Sequence, residues 1–102
     1  MKIEWSDNGI KSFQEASDYI ATNFYPGYAD AFENDVLETV DKLLDNASLG
    51  KEAFKALSRP DLRKIQCHSK NWWVFYRLIG DTIEVSQIAY SKRIDINPFG
   101  PL

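Results

Sequence analysis

The sequence predicts an α+β fold in the order β-α-α-β-β-β, with a helical hairpin packed on one face of an antiparallel sheet. Three observations carry this reading. Apolar residues recur at helical spacing between residues 10 and 47. Beyond residue 60 the period drops from 3.6 to 2. Residues 72–79 are apolar on both faces apart from Arg77, as a strand at the centre of a sheet must be.

Each element follows from its own residues. Met1, Ile3 and Trp5 alternate with Lys2 and Glu4, which predicts a short strand with one wet face. Asp7 or Asn8 then caps a helix over residues 9–24, whose stripe is Ile10, Phe13, Ala16, Ile20 and Phe24. Pro26-Gly27 ends it. Phe32, Val36, Val40, Leu43 and Ala47 make a second stripe, and residues 28–46 a second helix of about five turns. The short break between them predicts an antiparallel pair. In residues 62–68, Arg63, Ile65 and Cys67 share one face, and Leu62, Lys64, Gln66 and His68 the other. Gly80-Asp81 is a two-residue hairpin turn. In residues 82–90 the apolar parity switches at Ser86-Gln87, which predicts a bulge or a sharp twist.

Composition bounds the function. The chain has 102 residues, 44% hydrophobic and 26% charged, which suits one folded domain over 1–102 with an irregular tail at 94–102. The longest apolar run, Trp72 to Tyr76, is far short of the roughly 20 residues of a membrane helix. Residues 1–5 do not resemble a secretory leader. With Cys67 the only cysteine, no internal disulfide and no thiolate zinc site can form, and a reducing cytoplasm is expected. No cofactor and no metal is expected. The net charge of −3 is split: residues 1–50 hold three basic and ten acidic side chains, residues 51–102 nine basic and five acidic. Two faces of opposite sign are the expected result.

Element order and residues together resemble the RelE/ParE superfamily of toxins from type II toxin–antitoxin modules. The parts that carry this are the strand ending at Trp5-Ser6, the helical hairpin, Leu62-Arg63-Lys64-Ile65, the aromatic strand Trp73-Val74-Phe75-Tyr76-Arg77, Gly80-Asp81-Thr82-Ile83, and Ile88-Ala89-Tyr90-Ser91-Lys92-Arg93. The resemblance implies a toxin of plasmid-stabilisation type, neutralised by a cognate antitoxin in a hetero-oligomer, with no membrane partner. It leaves two chemistries open. RelE-like members cut messenger RNA on the ribosome. ParE-like members are taken to poison DNA gyrase.

Cleavage by a 2′-OH needs a base, cations for the phosphorane and an acid for the leaving oxygen. By alignment to the family, Lys64 and Arg93 match basic positions of the nuclease site. Gln66 stands for a second lysine, Trp73 for an arginine, Tyr90 for a histidine, and Phe99 near a C-terminal tyrosine. The nuclease candidates are thus Lys64, Arg77, Tyr90 and Arg93, a set short of proton-transfer groups. Arg77 has an alternative as the ion-pair partner of Glu84. His68 reads as an exposed strand-end residue. It cannot pair with Cys67, since neighbours on a strand point to opposite faces.

A docking surface is better supplied. Lys51, Lys55, Arg59, Arg63, Lys64 and Lys70 form a basic stretch interleaved with Phe54 and Leu57. Trp72 and Trp73 occupy opposite faces of the middle strand, one under the helices and the other beside Lys64. Lys64, Trp73, Lys92 and Arg93 are therefore the expected target-binding residues of a ParE-like toxin. The alternatives are the RelE-like nuclease, or a family member that binds antitoxin without toxicity. The tail offers a competing occupant for that face, through Ile96, Pro98 and Phe99.

Overall fold

A computed structural model describes residues 1–68, 71–92 and 98–99. The order is β1 (Lys2–Trp5), α1 (Asp7–Asn23), α2 (Pro26–Asp45), β2 (Lys51–Glu52), a 3₁₀ turn (Lys55–Leu57), β3 (Leu62–Cys67), β4 (Trp72–Ile79) and β5 (Thr82–Tyr90). The strands form one sheet in the order β1-β5-β4-β3-β2. The β3-β4-β5 meander is antiparallel, and β1 joins β5 in parallel, so the sheet is mixed. The helical hairpin supplies the crossover that a parallel neighbour requires.

Three boundaries differ from the sequence reading. Ser6, not Asp7 or Asn8, caps α1: its Oγ accepts from Gly9 N at 2.9 Å and lies 3.2 Å from the Val85 carbonyl, which it donates to. Asn8 instead donates from Nδ2 to the Ser86 carbonyl. All three residues can cap, and the nearby strand decides which one does. The second helix begins at Pro26 rather than 28, because proline lacks the N–H that a first turn leaves unpaired and has helical φ. β2 is additional. Two residues carry no periodicity, and this strand exists only through pairing of Lys51 with Lys64 and Glu52 with Arg63.

The helices cover one sheet face. Phe32, Val36, Val40 and Leu43 of α2 are buried there with Val74, Tyr76, Ile83, Val85 and Ile88. The α1 stripe is rotated from expectation. It buries Gly9, Ser12, Ala16 and Ile20, while Ile10 and Phe24 stay exposed. Small residues let α1 lie directly on β5, where Ser12 Oγ accepts from Ile88 N at 2.9 Å. A Cβ at Gly9 would stand 2.3 Å from the Val85 carbonyl oxygen. The bulge falls as predicted: Phe75 pairs with Gln87 and Tyr76 with Val85, leaving Ser86 unopposed. β4 is central, and the turn at Gly80 has φ 58°.

Candidate functional site

The sheet face away from the helices carries the candidate site. Alternation along β4 sends Trp72, Val74 and Tyr76 under the helices, and Trp73, Phe75 and Arg77 to the other side. Trp72 packs on Phe32, with ring centroids 5.0 Å apart. Trp73 has Lys64 Nζ at 4.5 Å from its ring centroid and Lys51 Nζ at 5.0 Å. The expected pairing of Trp73 with Lys64 is present, and β2 adds Lys51 as a third member. Burial, and then repulsion from Lys51, hold the Lys64 ammonium below the usual lysine pKa.

Lys51 was part of the basic stretch but not of the expected binding set. What places it is Tyr76. The Tyr76 hydroxyl, fully buried, donates to the Ala47 carbonyl and accepts from Gly50 N, both at 2.9 Å. Arg63 Nη1 donates to the Gly50 carbonyl at 2.8 Å. A Cβ at Gly50 would come within 2.6 Å of the Tyr76 hydroxyl. Only glycine lets the chain pass this close, and the passage delivers Lys51 to the sheet edge opposite Lys64. No spacing in the sequence reports this contact between residues 26 apart.

The rest of the basic stretch disperses. Arg59 makes a two-point hydrogen bond with Asp61 at 2.9 and 2.8 Å. Arg63 turns to the helix side. Lys55 is exposed on the 3₁₀ turn. Lys70 lies outside the described residues. Lys92 is exposed just past the end of β5, and Arg93 lies outside the described residues.

The nuclease candidates do not assemble among the described residues. Tyr90 pairs with Trp72 and packs against its ring at 5.6 Å, on the face opposite Lys64. Arg77 shares the Lys64 face but is bound to Glu84, Nη2 to Oε1, at 3.0 Å. His68 is not the exposed strand end expected. It has φ 51°, its Nδ1 donates to Asp35 Oδ2 at 2.6 Å, and its ring stands edge-on to Phe32. Cys67 is buried, and desolvation, then the Asp35 charge, push its thiol up to about 12. No group of metal-ligating side chains occurs among the described residues. No helix among them is long and apolar enough to cross a membrane.

The tail takes part of this face. Pro98 is buried, and Phe99 stands edge-on to both Phe54 and Phe75 at 6.0 and 6.1 Å. Phe75 is thereby internal, although it lies on the side away from the helices, and Leu62 on that side is buried too. Ile96 lies outside the described residues. Trp73 and Lys64 remain half-buried and Lys51 exposed.

This geometry defines a small α+β protein that presents a basic, indole-centred patch, with no assembled proton relay among the described residues. Residues 3–95 match the family described as the ParE toxin of the type II toxin–antitoxin system parDE, and the chain belongs to that family. Among solved structures it is similar to a chain of the chromosomal ParDE toxin–antitoxin system from P. aeruginosa, at a TM-score of 0.72 and 18% identity, covering 88% of this chain and 95% of that one. At that identity the likeness is one of fold. A comparison with curated proteins finds no match.

Proposed function

We propose that this toxin arrests growth by docking on a macromolecular target through the sheet face that carries Lys51, Lys64 and Trp73, and that Lys92 and Arg93 take part in the same contact. DNA gyrase is the target that family membership favours. A cognate antitoxin, encoded beside it, holds it inactive in a hetero-oligomer in the cytoplasm. The observation that carries this reading is the indole flanked by two ammonium groups on the helix-free face, with Tyr90 on the opposite side and Arg77 engaged by Glu84. Such a patch binds by charge and area. Among the described residues, no histidine or tyrosine stands on it to accept and return a proton.

The test is expression of the chain alone. Growth arrest with loss of gyrase supercoiling is expected, and co-expression of the adjacent small reading frame restores growth. Cleavage of ribosome-bound messenger RNA with supercoiling intact would establish the nuclease reading instead. Normal growth, together with co-purification of the product of that adjacent frame, would show a member that keeps antitoxin binding without toxicity.

A further inference from the structure

We propose that Lys51, Lys64 and Trp73 form a receptor for carboxylates, and that its occupant is an acidic segment of a protein partner. The inference rests on the docking face described above and supplies the chemistry that the face selects. Two ammonium groups share one indole. They stand directly opposite each other on adjacent antiparallel strands, where like charges repel. Among the described residues neither has a carboxylate within ion-pair distance. Glu52, the nearest acid in sequence, pairs with Arg63 and therefore faces the other side of the sheet. The repulsion is left for a ligand to relieve, and an anion between the two lysines does so.

The positions are built rather than incidental. Lys51 follows Gly50, which is held at N by the Tyr76 hydroxyl and at its carbonyl by Arg63. Lys64 sits mid-strand, with an ammonium whose proton affinity is already lowered by burial and by Lys51. Such a cation gains more from an incoming negative charge than a fully hydrated one does.

Carboxylate is favoured over the phosphates of a nucleic acid for two reasons. Single-stranded nucleic acid binds by stacking bases on free aromatic faces, and here the indole already carries two cations. A long polyanion would also meet the whole molecule, which is net −3, with ten acids among the fifty residues that include both helices. One or two carboxylates on a peptide feel only the local charge.

The experiment follows the indole N–H resonances of the full chain while a capped oligoglutamate peptide, or an oligothymidylate of matched charge, is added. The oligoglutamate is expected to shift the Trp73 signal saturably and leave Trp72 and Trp5 in place. Lys51→Gln and Lys64→Gln are each expected to weaken that binding about tenfold, and added salt to weaken it further. Unmoved Trp72 and Trp5 signals report that these variants fold. No shift at Trp73, a shift insensitive to both substitutions, or tighter binding of the oligothymidylate overturns the proposal. Growth arrest by the unmodified chain is scored separately. A chain that binds oligoglutamate but does not arrest growth keeps the receptor and loses the toxin reading.

Discussion

Single side chains on this protein work by what they are denied as much as by what they touch. Cys67 is denied water, and its thiol is pushed up to about 12 from an ordinary 9.0. A raised value means that the folded state holds the proton more tightly than the unfolded chain does. The resulting stability is present below pH 9, and is lost as pH rises from 9 toward 12. Cys67→Ala should flatten that part of a plot of urea midpoint against pH. In the native wild type the thiol should resist alkylation at pH 8 and react once urea unfolds the chain. Tyr76 is denied water as well, and its hydroxyl is kept for the strut to Ala47 and Gly50. Tyr76→Phe strands a carbonyl and an amide, and should cost about 1–3 kcal/mol in urea unfolding. The same variant should speed exchange of the Gly50 amide, which a change in the core alone would not single out.

At the scale of elements, the join between β1, α1 and β5 is the most constrained. Ser6 follows β1, caps α1 and donates to β5, and three residues later Gly9 lies against the same Val85 carbonyl. Ser6→Ala should cost about 1–2 kcal/mol, as loss of a helix cap does. Gly9→Ala gains helix propensity but brings a methyl within 2.3 Å of a carbonyl oxygen that belongs to the sheet backbone. Overpacking should win, with a net loss of about 1–3 kcal/mol by thermal or urea unfolding. Between α2 and the end of β3, His68 and Asp35 make the one hydrogen bond that joins those elements side chain to side chain among the described residues. Asp35 precedes the buried Val36 at the edge of the apolar stripe of α2, and that edge is where it meets His68.

The whole molecule divides its surface by charge and by cover. Helices shield one sheet face, and the other is shared between an apolar portion under Phe54 and Phe99 and a basic portion around Trp73. Phe99 links the end of the chain to the central strand. Phe99→Ala should cost about 1–2 kcal/mol, in line with a half-buried phenyl ring, and should raise amide exchange at Phe75 in β4. A growth-arrest assay of that variant then asks how far the covered portion supports the basic one.

Much of this was open to sequence reasoning. Strand and helix periods, the central position of β4, the Ser86 bulge and the split of Trp72 from Trp73 all follow from the order of apolar and polar side chains. That order is set by alternation, a local property of the backbone. The parallel pairing of β1, the two-residue β2, the choice of Ser6 as cap and the delivery of Lys51 to Trp73 lie beyond it. Each depends on a backbone group meeting a partner distant in the chain, and periodicity carries no record of such meetings. The residues dictated which faces exist; tertiary packing decided what stands on them, because only folding brings Gly50 under the Tyr76 hydroxyl and two lysines over one indole.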